Sequence, residues 1–121
     1  MAELKAGTSE ARFADIIWEN EPLTSSKLSE ISEKILGWKK TTSFTVLKRL
    51  CNKGIFQNVK GTVTSLISRE EYFSDRSEKF VQENFGGSLP AFLAAFSARK
   101  KLSSEEIAEL RKMVDEYEEG T

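Results

Sequence analysis

Apolar residues recur three and four positions apart along most of this chain, the period of a helix with one buried face. Phe13, Ile16 and Ile17 set the pattern, and Trp18 extends the stripe. They predict a first helix that starts at Ser9 or Glu10 and ends before Pro22, because proline disfavours helical backbone in the residue preceding it. Thr24 is a good N-cap. Leu28, Ile31 and Ile35 then mark the buried face of a second helix, which stops at Gly37. A third helix is predicted from Lys40 or Thr41 to Lys53, with Gly54 as its stop. Ser43, Val46, Leu47 and Leu50 should face inward, and Thr42, Thr45, Lys48, Arg49 and Asn52 outward. Its β-branched residues make this helix intrinsically weak, so packing on the first two must hold it.

The period then changes. Residues 55–59 and 62–67 are two short β-prone runs, and the Lys60-Gly61 pair between them predicts a hairpin. Helical spacing returns at Ser68-Arg-Glu-Glu71, a capping-box start for a fourth helix reaching about Asn84, with Tyr72, Phe73, Phe80 and Val81 as its apolar positions. Gly86-Gly87 breaks it. A fifth helix opens at Ser88-Leu-Pro90, proline being tolerated in a first turn, and carries Leu89, Phe92, Leu93 and Phe96. Ser103-Ser-Glu-Glu106 is a second capping box and begins a sixth helix bearing Ile107, Leu110, Met113, Val114 and Tyr117.

Three helices followed by a hairpin are the order of a winged helix-turn-helix, with the third helix as recognition helix and the hairpin as wing. The expected fold is therefore mainly α with a small β-hairpin. A winged-helix domain over residues 1–67 precedes a helical segment over 68–121. Residues 72–117 hold five Phe, two Tyr and many aliphatics on only three helices. A second copy of the same tail buries that surface most simply, which makes the segment a candidate dimerisation region and a homodimer the expected assembly. Phe80, Phe85, Leu89, Phe92, Phe96, Leu110 and Val114 are its candidate contacts. A compact monomer with the tail folded on the N-terminal domain is the alternative.

Charge sharpens this division. The chain of 121 residues is almost neutral, with 18 Lys+Arg against 19 Asp+Glu. Yet the stretch from Lys34 to Arg69 carries eight basic residues and no acid. Residues 1–67 hold ten basic and seven acidic residues, and residues 68–121 hold eight and twelve. A helix with a basic, Thr-rich outer face suits a duplex groove, where cations meet phosphates and short polar side chains meet base edges. Lys39, Lys40, Lys48, Lys53 and Lys60 are candidate phosphate contacts. Thr42, Thr45 and Arg49 are candidates for the major groove or its rim, and Thr41 joins them at the helix start. Arg49 has two further readings, a phosphate contact or a brace for the wing. The plain alternative for the whole run is an ordinary solvated face.

Other chemistry is scarce. There is no histidine and one cysteine, so neither an intramolecular disulfide nor a Cys/His zinc site can be assembled within one chain. Cys51 is expected as a small buried hydrophobe, with a redox-sensing thiol as the alternative. No Ser or Cys nucleophile has a recognisable base and no glycine-rich phosphate loop is present, so an enzyme is not expected, nor a cofactor or metal. Glu70-Glu71 and Glu105-Glu106 stand at helix starts, where capping and the helix dipole account for them. The apolar runs are too short to span a membrane, and Met-Ala-Glu-Leu-Lys at the N-terminus has no signal-peptide core. The expected location is the cytoplasm and the expected partner is double-stranded DNA. A winged-helix interaction module that binds protein rather than DNA is the other reading, though its recognition helix would be expected to be acidic.

Several strings, in this order and spacing, resemble the penicillinase and methicillin-resistance repressor (BlaI/MecI/CopY) family. These are Ile17-Trp18; then Trp38, Thr42, Thr45, Arg49-Leu50 and Lys53-Gly54; then Phe85-Gly-Gly87-Ser-Leu89 with Phe92 and Phe96; then Leu102 to Ile107 and Glu109-Leu-Arg111. The resemblance spans about residues 10 to 117. It implies a dimeric winged-helix repressor on a palindromic operator. Some members are inactivated by proteolysis in the helical tail, so a regulatory protease is a candidate partner and Ala95-Phe96 the corresponding bond, where the cleaved branch has Asn-Phe. The copper-responsive branch carries Cys-x-Cys motifs that a chain with only Cys51 lacks. The wing departs as well. Gly61-Thr-Val-Thr-Ser-Leu66 replaces the family's Gly-Arg and Tyr-x-Tyr, leaving Lys60 as the wing's cation.

Overall fold

The computed structural model describes residues 8–120. The chain forms two compact units, 8–76 and 77–120 among these residues. The first, the head, runs α1 (Ser9–Asn20), β1 (Leu23–Thr24), α2 (Ser25–Leu36), α3 (Lys40–Asn52), β2 (Phe56–Val59) and β3 (Thr62–Ser65). α4 (Arg69–Phe85) starts in the head and ends in the second unit, the tail, which adds α5 (Leu89–Arg99) and α6 (Ser104–Gly120).

Capping residues place the helix starts. The Thr8 and Thr24 hydroxyls accept from the backbone N–H groups of Ala11 and Lys27, both at 3.0 Å, and open α1 and α2. Gly37 ends α2 in the left-handed conformation, φ +70°, which a side chain would resist. In the tail, Ser88 caps α5 through Ala91 N–H at 3.1 Å. Ser103 and Glu106 cap each other reciprocally across the start of α6, also at 3.1 Å.

The expected hairpin is present and closes with two residues. Val59 pairs with Thr62, and Lys60 and Gly61 between them have φ of 51° and 85°. Two positive φ values suit a turn whose twist matches that of the strands. The sheet is larger than a hairpin, however. Its order is β1-β3-β2, and β1 joins through Leu23 opposite Val63. A two-residue strand has no alternation to read, which is why sequence pattern missed it.

The head's core is complete. Phe13, Ile17, Leu28, Leu50, Phe56 and Val63 are closed to solvent. Trp38 stacks on Phe13 at 5.0 Å between ring centroids. Trp18 touches Phe56 at 5.1 Å and Tyr72 at 5.4 Å, and its indole N–H donates to the Ile67 carbonyl at 3.1 Å. Tyr72 thereby joins the first turns of α4 to the head. One expected core position fails: Ile35 is 55% exposed, in the last turn of α2. The buried strip runs instead through Leu28, Ser29 and Ser32, with Leu36 half-buried. The Ser32 hydroxyl donates to the Leu28 carbonyl at 2.8 Å, so this polar side chain is satisfied within its own helix and tolerates burial. Apolar periodicity cannot see such a serine. Cys51 also departs from expectation, being half-buried rather than closed off.

Candidate nucleic-acid interface

α3 displays its two faces as the spacing predicts. Ser43, Val46, Leu47 and Leu50 are buried, while Thr41, Thr42, Thr45, Lys48, Arg49 and Asn52 are exposed. Its N-cap, Lys39, makes no side-chain capping hydrogen bond, and its first turn contains no acid. The open N–H groups there and the positive end of the helix dipole favour an anion such as phosphate. Lys39, Lys40, Lys48 and Lys53 are exposed along or beside α3, and Lys60 stands at the tip of the wing.

Tertiary structure separates the cations of the acid-free stretch by residue type. Both arginines meet acids of α1. Arg49 gives Nε and Nη2 to Glu10 Oε1, each at 3.0 Å. Arg69 donates to both carboxylate oxygens of Asp15, at 2.6 and 3.4 Å, and this hydrogen bonding raises its pKa above the ordinary value. The six lysines (34, 39, 40, 48, 53 and 60) form no ion pair with any described residue. Of the readings open for Arg49, the observed contact is thus a further one, a brace between α3 and α1. The wing has a brace of its own. Glu21 Oε1 accepts the backbone N–H and the hydroxyl of Ser65, both at 2.8 Å. The turn is tied down through Ser25 N–H, which donates to the Gly61 carbonyl at 2.9 Å.

Two details of α3 lie beyond the predicted inward and outward sets. The Thr45 hydroxyl donates to the Thr41 carbonyl at 2.8 Å, which leaves its lone pairs and methyl outward. Phe44 is 37% exposed, with Lys40 Nζ 5.5 Å from its ring centroid. The signal for Phe44 was its position: an aromatic outside the predicted inward set, four residues after one lysine and four before another. Cys51 lies on the same helix, and burial raises its thiol pKa above the ordinary value.

The tail supplies a second candidate surface. The rings of Phe80, Phe85, Phe92 and Phe96 form a cluster with neighbouring centroids 5.5 to 6.1 Å apart. Phe85, Phe92 and Leu110 are half-buried, while Phe80, Leu89, Phe96 and Val114 stay exposed. A cleft of about 230 Å³ opens between α5 and α6, lined by Phe92, Leu93, Phe96, Leu102, Leu110 and Met113 among others. Ala95 and Phe96 are both exposed in the middle of α5. No described helix is long and apolar enough to cross a membrane.

A model of the penicillinase repressor family matches residues 6–116, nearly the whole chain. The chain belongs to that family. It is 27% identical over 113 residues to the penicillinase repressor of Bacillus licheniformis, covering 90% of this chain and 88% of that protein. It is 24% identical over 112 residues to the methicillin resistance regulatory protein MecI of Staphylococcus aureus, covering 89% and 91%. Against the reduced form of MarR from E. coli the TM-score is 0.45 at 17% identity, over 94% of this chain and 75% of that one. Family and fold together make the chain a winged-helix transcriptional repressor, not an enzyme.

Proposed function

We propose that this repressor acts as a homodimer that occupies a palindromic operator, with α3 of each head in a major groove. The observation that carries the DNA contact is the set of lysines around α3 and the wing, exposed and without ion pairs among the described residues. Lys39, Lys40, Lys48, Lys53 and Lys60 neutralise phosphates, while Thr41, Thr42 and Thr45 lie against base edges. Arg49 holds α3 on α1. The tail's open aromatic cluster supports pairing with a second copy, which offers the same surface in return. Two linked heads make the second half-site contact effectively intramolecular, which multiplies operator affinity without any new protein–DNA contact. Repression then follows from occupancy alone. A regulatory protease cutting between Ala95 and Phe96 would sever α5 inside the cluster and part Phe96 from Phe92, ending the linkage between heads.

The test is a salt titration of duplex binding. Each phosphate-contacting lysine adds about 0.9 to the slope of log affinity against log salt. Lys48→Ala should lower that slope by about one and weaken binding alike on operator and random duplexes. Thr45→Ala should reduce discrimination at one or two base pairs while leaving the slope in place. Wild-type binding without salt dependence, or no binding to any duplex, would sink the proposal.

A further inference from the structure

We infer that Phe44 is a specificity-determining contact which takes the 5-methyl group of a pyrimidine in the major groove; this deepens, and rests on, the duplex-binding reading above. Phe44 is a large, exposed apolar side chain on a helix whose Val46, Leu47 and Leu50 are buried. Side chains four apart are neighbours on a helix surface, so Lys40, Phe44 and Lys48 form one strip. Lys40 Nζ lies 5.5 Å from the ring centroid. Neither lysine forms an ion pair among the described residues. A phenyl ring between two available cations matches a surface that is anionic at its edges and apolar at a point between them. The major groove is such a surface. Phosphates line its rims, and the thymine methyl is the apolar group that projects into it.

Two of the donors beside the ring are engaged elsewhere. Arg49 is the residue type that reads guanine through two hydrogen bonds, yet its Nε and Nη2 are both given to Glu10. The Thr45 hydroxyl proton goes to the Thr41 carbonyl. With Lys40 and Lys48 assigned to phosphates, apolar contact through Phe44 is what the strip itself adds to the discrimination by the threonines. A base edge lacking the methyl offers the ring less apolar surface to bury, and the polar atoms beside it gain no hydrogen bond from the ring in return.

Removing the methyl group alone tests this. Duplexes selected from random DNA by the full-length protein are remade with each thymine in turn replaced by deoxyuridine. At one thymine per half-site the affinity should fall about fourfold, the factor that burying one methyl group is worth. Phe44→Leu should keep most of this sensitivity, and Phe44→Ala should abolish it while leaving the salt slope unchanged. At the same position, 5-methylcytosine paired with guanine should bind better than cytosine paired with guanine. Tolerance of deoxyuridine everywhere, equal sensitivity in Phe44→Ala, or no gain from 5-methylcytosine would each overturn the inference while leaving duplex binding intact. Failure of the wild-type protein to bind any duplex would overturn both.

Discussion

Head and tail are built from the same kind of amphipathic helix, yet they reach opposite states of burial. In the head, Phe13, Ile17, Leu28, Leu50, Phe56 and Val63 are closed to solvent. Among the described residues of the tail none is: Phe80, Leu89 and Val114 are more than half exposed and Tyr117 is 76% exposed. Composition does not cause this, since the tail is rich in aromatics. The head has three helices and a sheet whose faces converge, so each apolar stripe finds a cover. The tail has α5, α6 and the end of α4, too few faces to enclose a core. An amphipathic helix creates a demand for burial, and only a sufficient number of neighbours meets it. The head meets it within one chain, and the proposed second copy meets it for the tail.

The strongest way to break this contrast is to empty each cluster in turn. Phe13→Ala removes a fully buried ring and should cost the head about 3–5 kcal/mol. Phe80→Ala, at a half-exposed position, should cost under about 1 kcal/mol. Both tryptophans, Trp18 and Trp38, lie in the head, so their fluorescence during urea unfolding reports on the head alone. An equal shift for the two variants would mean that head and tail share one core. The next effect concerns association. Phe92→Asp places a charge within the ring cluster and should raise the dimer dissociation constant at least about a hundredfold, roughly 2.7 kcal/mol. Sedimentation at micromolar concentration should give twice the 13.7 kDa chain mass for the wild type and the single mass for the variant. A wild-type mass of 13.7 kDa would leave the tail's exposed face without its proposed partner.

A smaller effect would sharpen the description of the head. Glu21→Ala leaves the Ser65 N–H without its carboxylate and should cost about 1–3 kcal/mol, seen as an earlier tryptophan transition in urea. A silent Glu21→Ala would show that β3 is held by the sheet alone. Smallest of all, Lys48→Ala removes an exposed side chain with no ion pair among the described residues and should shift unfolding of the head by less than about 0.5 kcal/mol. Its effect belongs to the salt slope of DNA binding. A large loss of stability there would reassign Lys48 from ligand contact to scaffold.

The elements were legible because each rests on local rules. Thr24 with Leu28 marks a helix start by capping and spacing, and Lys60-Gly61 marks a hairpin by the backbone geometry it permits. The inward face of α3 followed from the helical period alone. The same rules misplaced Ile35, because burial there depends on how far the neighbouring helices reach. They also missed β1, which exists only through its pairing with Val63.

By itself, then, the sequence determined the order of helices and strands, the acid-free basic stretch and the segregation of charge between head and tail. Those are properties of neighbours along the chain, and periodicity, capping and counting reach them. Tertiary structure alone decided which cations stay available. Glu10 and Asp15, distant in sequence, take up Arg49 and Arg69, while the lysines keep their charge toward solvent. It also decided that Phe44 lies exposed on the outer part of a helix that buries its other large apolar side chains. The reason is physical: an ion pair or a buried face needs two groups within a few ångströms, and separation along the chain does not specify distance in space.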